Sequence, residues 1–378
     1  MDPWIAETAP RIARRAEREL EALVAVSSPS GDRAGAEEAV AVATALLPAS
    51  AEVERPACSS PDHAPDLLAT LTGSGSRRVL LLGHLDTVVA HGEHRPPSRD
   101  GDRILGSGTV DMKGGVALAL GVLEAFAERP EAYAELVLLL VVDEEWRVEP
   151  FAHTSRFEGF DACLCFEAGE RGPGGEEGVV VKRKAAGTLR IEARGVSAHS
   201  GSAPQKGRNA LLALAKAAES VAGHHAPDGP DRLTAVPTII RSGDAFNVVP
   251  AAGELLCDLR ADRLDAFDAV ARGVPAEVGG ATLHPEIVRS WPGMDAREPT
   301  APLLAAASAM VGRKVVGVER GGASDASHFA PAIPLTVDGL GPCGGGAHNP
   351  GEFVLVPTLA TRAQVALAMT ASALWQPR

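Results

Sequence analysis

Three short stretches of the chain are continuously apolar: Leu80, Leu81 and Leu82, then LVLLLVV over 136–142, then ACLCF over 162–166. Runs of this length without alternation predict strands buried on both faces, as in a parallel sheet. Around them the pattern is helical or broken. Residues 10–47 are rich in Ala, Glu, Arg and Leu and predict one or two helices, interrupted at SSPSGD over 27–32. Residues 48–76 carry Pro56, Pro61 and Pro65 around a short strand at 67–71. Residues 91–105 are polar and turn-rich, and an apolar helix begins near Gly114.

From residue 179 the pattern changes. VVVKRKAAGTLRIEARGVSAHSG alternates like an antiparallel strand pair. A helix is predicted near 207–223, strands near 235–241 and 253–260, and another helix near 264–274. This order predicts a small α+β insert with its own sheet, over 184–296. A helix at 301–311 and two short strands then complete the first domain, which spans 1–183 and 297–378. The expected fold class is α/β: a mixed, mostly parallel sheet flanked by helices, with an inserted α+β domain. A length of 378 residues agrees with two domains.

Charge and composition narrow the function. A net charge of −13 argues against a nucleic-acid partner. The basic triplet Lys182, Arg183, Lys184 reads as a solvated strand edge. Five scattered cysteines suit a reducing compartment better than a disulfide framework, and Cys163 and Cys165 read as core filler. The first twenty residues lack a secretory apolar region, and no run is long enough to span a membrane, so the expectation is a cytoplasmic protein without a membrane partner.

The candidate chemistry lies where the apolar runs stop. The first ends in His84 and Asp86, two apart and on one side of an extended chain. The second ends in Asp143, Glu144 and Glu145, and the third in Glu167. Asp111 stands at the mouth of the apolar helix. Gly106-x-Gly108 lacks the third glycine of a dinucleotide fingerprint, because Asp111 takes its place. His91 and His94 read as solvated loop residues. A late glycine-rich segment holds His348 and Glu352. Ligands collect at the carboxyl ends of strands in open α/β sheets. Two imidazoles with several carboxylates suit zinc, or cobalt and manganese. They are more than one tetrahedral ion needs and fit two ions sharing an Asp. Such a pair acidifies a bridging water and polarises a carbonyl, with a spare carboxylate as general base. That chemistry points to hydrolysis of an amide bond.

GHLDTV, GSGTVDMKGG, DEE, the strand-end Glu167, AHSG…P…GRNA, NVVP, GGASDA and GAHNPGE occur in order between about residues 79 and 353. As a set they resemble the dinuclear zinc exopeptidases and deacylases: glutamate carboxypeptidases of the carboxypeptidase G type, acetylornithine deacetylase, succinyl-diaminopimelate desuccinylase and aminoacylase-1. The resemblance implies two zinc ions per chain. His84 and Glu167 would hold the first, Glu145 and His348 the second, and Asp111 would bridge them. Glu144 would be the general base, acting with a metal-bridging hydroxide, and Asp86 would orient His84. The insert would be a lid and dimerisation domain of a homodimer, with His199 reaching the partner's active site to stabilise the oxyanion. Asn247, Arg260, Gly321 and Gly322 would bind a small N-acyl amino acid or short peptide. Glutamate carboxypeptidase-like cleavage beside a free carboxylate is the leading expectation. An N-acyl-amino-acid deacylase, or a deprotecting amidohydrolase of a biosynthetic pathway, is the alternative. A catalytically silent binding protein ranks below both. One departure stands out: many relatives carry a Gly/Ser-rich turn after the acidic triplet, whereas this chain has WRVEPFAHTSR, so Trp146 and Pro150 should reshape the pocket wall. His328, in DASHF, is expected near the pocket but not on metal.

Overall fold

In the computed structural model, which describes residues 1–375, the chain divides into two compact units. One comprises Met1–Lys182, Asp295–Glu319 and the residues from Ser324 onward. The other comprises Arg183–Met294 with Arg320–Ala323.

The first unit is built on a mixed sheet. Its strands are β1 (Glu52–Glu54), β2 (Leu67–Thr72), β3 (Arg78–His84), β4 (Glu135–Val141) and β5 (Ala162–Cys165), in the order β1-β2-β4-β3-β5 followed by Thr336–Val337. β3 runs parallel to β4 and β5, Thr336–Val337 is parallel to β5, and β1 and β2 are antiparallel. The three apolar runs are therefore adjacent, and every residue from Val79 to His84 is buried. Continuous burial explains the missing alternation, since both faces of the strands are covered. Cys163 and Cys165 lie in this core.

Helices α1 (Pro3–Ala25) and α3 (Gly114–Ala127) pack together and against the C-terminal helix Val356–Trp375, while α2 (Arg33–Ala45) packs on α1. α1 covers the amphipathic, charged pattern of the first twenty residues. Asp2 caps it, accepting the N–H groups of Trp4 at 2.9 Å and Ile5 at 3.2 Å, and Pro3 occupies the first turn, where its missing N–H is not needed. Pro10 does not end it, because the face formed by Ile5, Ala9, Ile12, Ala16, Leu20 and Leu23 is buried on both sides of that proline.

The basic triplet is not a solvated edge. Lys182 and Arg183 are buried, and Arg183 Nη1 donates to the Gly322 carbonyl at 2.8 Å. Lys184 Nζ donates to the Arg232 carbonyl at 2.6 Å. The charged ends are used to satisfy backbone carbonyls, which a composition reading does not reveal.

The second unit holds strands β6 (Ala185–Arg194), β7 (Thr234–Ser242), β8 (Ala252–Ala261), β9 (Glu277–Val278) and β10 (Ala281–Trp291), in the order β7-β8-β6-β10-β9, with each neighbouring pair antiparallel. Alternate residues of β6 are buried, and Leu189, Ile191, Leu255, Cys257 and Leu259 pack with Leu214 of α4 (Ala210–Ala222) and Phe267 of α5 (Asp265–Gly273). Edge strand β7 leaves Val236, Ile239 and Ile240 exposed. Among the described residues no helix is long and apolar enough to cross a membrane.

Candidate metal centre

The site lies at the carboxyl ends of β4, β3 and β5, which are neighbours in the sheet. His84 is the last residue of β3, opposite Val141 at the end of β4. Asp143, Glu144 and Glu145 follow β4, and Glu167 follows β5. The backbone carbonyl of Asp86 lies 3.1 Å from His84 Nδ1, and its carboxylate 3.4 Å away. That carboxylate also accepts the N–H groups of Glu144 at 3.2 Å and Glu145 at 3.1 Å. Asp86 thus holds the imidazole and the acidic turn together.

Asp111 arrives from a different direction, in the tight turn before α3. Gly108 adopts a positive φ of 76° there, a conformation that disfavours other side chains. The buried carboxylate of Glu352 accepts three N–H groups of this turn: that of Gly108 at 2.9 Å, of Val110 at 2.8 Å and of Asp111 at 3.0 Å. Lys113, fully buried, donates to the Val26 carbonyl at 2.8 Å. Gly115 allows α3 to start against the Phe166 carbonyl, where a Cβ would collide.

The donor atoms form three overlapping groups, of which one joins His84, Glu144 and Glu145 and the other two share Asp111. Of these two, one joins His84, Asp111 and Glu167; the other joins Asp111, Glu145 and His348; within each, the candidate ligand atoms lie within 4.8 Å of one another. Asp111 turns one oxygen to each imidazole. Oδ1 is 3.3 Å from His84 Nε2, and Oδ2 is 3.2 Å from His348 Nε2. His84 Nε2 is also 3.7 Å from Glu167 Oε1, and His348 Nε2 is 3.1 Å from Glu145 Oε1.

This arrangement fits cations. His84 Nδ1 faces a carbonyl, which only accepts, so Nδ1 carries a hydrogen and a neutral ring would turn the lone pair of Nε2 toward carboxylate oxygens. Acceptors gathered this closely require a proton or a metal between them. In the absence of metal the imidazoles answer with protons. The hydrogen bonds to Asp111 and Glu145 push His348 up to about 10. Burial opposes the charge on His84, but Asp111 and Asp86 outweigh it and raise its pKa well above the ordinary value. Burial likewise opposes ionisation of Asp111, yet His348 and His84 hold its carboxyl below the usual range. Burial pushes the Glu144 carboxyl well above that range; His84 pulls the other way, while Asp325, Glu145 and Glu167 add to the rise.

The remaining expected residues belong to the second unit. His199 pairs with Val248 in a two-strand ladder, and Ser200 N–H donates to the Asn247 carbonyl at 3.0 Å, so His199 and Asn247 share one small structure. The N–H groups of Gly201 and Ser202 donate to His199 Nδ1 at 3.1 and 3.2 Å. With Nδ1 accepting, the ring hydrogen lies on Nε2, where it can be donated. Arg260, on β8, is paired with Asp258 at 3.0 Å. Gly321 and Gly322 are exposed, and Gly322 receives Arg183 through its carbonyl.

A model of peptidase family M20/M25/M40 matches residues 80–372. The chain belongs to this family. It is therefore a metallohydrolase of the M20 type. Carboxypeptidase G2 of Pseudomonas sp. (strain RS-16) is 27% identical over 368 residues, covering 92% of this chain and 86% of that protein. A succinyl-diaminopimelate desuccinylase of Dinoroseobacter shibae is 32% identical over 199 residues, 48% of this chain and 51% of the other. The fold is shared with a Staphylococcus aureus tripeptidase (TM-score 0.75, 22% identity, 96% and 99% of the two chains). It is shared also with the Bacillus subtilis YXEP protein, a dinuclear metal binding peptidase from the M20 family (TM-score 0.70, 16% identity, 97% and 99%).

Sequence reasoning left the parts beneath the M20 site unassigned. Glu352 was visible beside His348, but nothing in the sequence places it under residues 108–111. Arg147 and Asp325 carry no local signal of their pairing. His94 is half-buried, not solvated, whereas His91 is exposed and bonded to Ser27 Oγ at 2.8 Å. His328 stacks on Phe151 with ring centroids 5.1 Å apart.

Proposed function

We propose that this M20 enzyme is a dinuclear zinc hydrolase cleaving an amide bond next to a free carboxylate, as a glutamate carboxypeptidase does. The observation that carries the reading is Asp111, whose two oxygens face two imidazole nitrogens. His84, Asp111 and Glu167 would hold one ion, and Asp111, Glu145 and His348 the other, with cobalt or manganese as substitutes. When bound, such ions would polarise the scissile carbonyl and acidify water enough for attack near neutral pH.

The chain's own groups do the rest. Glu144, adjacent to a ligand, takes the proton of the attacking water and delivers it to the departing nitrogen. His199 offers its Nε2–H to the oxyanion, from the partner protomer of a homodimer. Asn247, Arg260 and the Gly321–Gly322 turn bind the substrate, with Arg260 meeting its carboxylate. The apolar edge of β7 supports pairing with a second copy. A second reading, a dedicated N-acyl-amino-acid deacylase, is favoured by the altered segment after Glu145, where Trp146 packs edge-on against His63 at 5.4 Å. Hydrolysis of N-acyl amino acids, dipeptides and α- or γ-glutamyl amides by zinc-loaded protein separates the two. Turnover of glutamyl amides above the rest is expected; turnover confined to one acyl group would favour the deacylase; no metal-dependent turnover would refute both.

A further inference from the structure

The turn carrying Glu144 and Glu145 is held on its other side by a buried ion cluster. Arg147 and Asp143 are fully buried, and Asp325 is 3% exposed. Arg147 Nη1 donates to Asp143 Oδ1 at 2.8 Å, and Nη2 donates to Asp325. The Arg147 N–H donates to the Asp143 carbonyl at 3.0 Å, so the five-residue turn is closed twice, by backbone and by side chain. Phe151 covers the guanidinium, whose carbon lies 4.5 Å from the ring centroid.

Two simpler explanations fail. Cys58, Asp66 and Asp143 place their donor atoms within 4.8 Å of one another, as a cation site would. However, both Asp143 oxygens are already engaged, by Arg147 and by the Ser60 N–H at 2.9 Å. Those of Asp66 are engaged by the Val142 N–H at 3.0 Å and by His153 at 2.7 Å. Arg147 supplies the positive charge there. Stability alone does not account for the cluster either, because buried ion groups seldom stabilise a fold better than well-packed apolar residues do.

What the cluster does uniquely is geometric. Asp86 fixes the turn through the N–H groups of Glu144 and Glu145, and Arg147 fixes its two ends and ties them to Asp325. We infer that Arg147 is a positioning residue for the hydrolysis, acting through Asp143 and Asp325 to fix the turn that presents Glu144 and Glu145. The inference rests on the hydrolase reading above. A planar fork can hold two carboxylates at once, and a lysine ammonium cannot reproduce that geometry.

The test uses full-length protein reconstituted with cobalt, the metal itself serving as the probe. Three variants are compared: Arg147→Lys, Asp325→Asn, and the neutral set Arg147→Gln with Asp143→Asn and Asp325→Asn. The neutral set leaves no stranded charge and is expected to melt near the wild type. Its kcat should fall about 100-fold, as a displacement of about 1 Å does, with KM nearly unchanged. Its affinity for the second cobalt equivalent should fall about tenfold, with the first unaffected, as loss of ligand support does. A merely structural cluster would be replaceable, so wild-type kcat and cobalt affinity in the neutral set overturn the inference. Should that set not fold, the single variants, which each keep one ion pair, decide: wild-type kcat in both overturns it, and loss at constant KM in Arg147→Lys supports it. Wild-type protein that takes up no cobalt refutes the hydrolase reading itself, and this inference with it.

Discussion

The two units bury different kinds of residue. The first encloses Asp66, Lys113, Asp143, Arg147, Asp338 and Arg362 with essentially no exposure. Among the described residues of the second, Arg183 is the one buried charge; its other ion pairs, such as Arg190–Glu286 and Arg232–Asp262, lie at least partly in solvent. Both units leave some apolar side chains in water, but the fully exposed Phe246 and the neighbouring pair Ile239 and Ile240 belong to the second. Buried charge is costly unless paired, so it marks where a fold spends stability on geometry. Exposed apolar surface marks where a fold keeps contacts for another molecule.

The strongest way to break this contrast is at Glu144. Glu144→Gln should retain its metal, measured by elemental analysis, yet lose about 10³-fold or more in kcat, within the range for a general base; ordinary turnover would show that Glu144 is not the base. Next is acid stability. Burial pushes His328 down to about 4, and Arg147 lowers it further against Asp325. Its folded pKa is depressed, so its contribution is present above about 6.5 and is lost as pH falls from there to about 4, a loss of about 3 kcal/mol. His328→Phe should flatten the melting temperature over that window while keeping the stack on Phe151; an unchanged slope would exclude His328 as its source. Glu352→Gln sets an amide N–H2 against backbone N–H groups and should weaken zinc binding about 10- to 100-fold in a chelator competition; unaltered affinity would mean the turn at 108–111 needs no anchor. The smallest energetic change belongs to the second unit. Ile240→Lys should alter stability by under about 0.5 kcal/mol while shifting the proposed homodimer toward monomer in sedimentation. A dimer that persists would require a different docking surface.

The parts legible in the sequence were those with a local signature. Apolar runs stopping at His84, Asp143 and Glu167 reveal both the parallel sheet and the end at which polar groups collect, because strand burial and strand termination are written in consecutive residues. The mixed, mostly parallel α/β class followed directly. The parts not legible were long-range. Arg147 and Asp325 are 178 positions apart, and Glu352 is 241 from Asp111. Each looks like an ordinary charged residue until the backbone brings its partner to it. Arg183 and Lys184 misled for the same reason, since the carbonyls they bond lie elsewhere in the chain.

Asp86 touches three of the groups on which the proposed chemistry depends, through one carbonyl and one carboxylate, and is itself only 2% exposed. In mechanical terms it is a single joint on which separate levers hang. An error there is transmitted to His84, Glu144 and Glu145 at once, whereas changes in the walls, such as WRVEPF after Glu145, leave the joint alone. Under the proposed function, selectivity is therefore adjustable from the periphery. Position 86 is the one from which no such adjustment can begin.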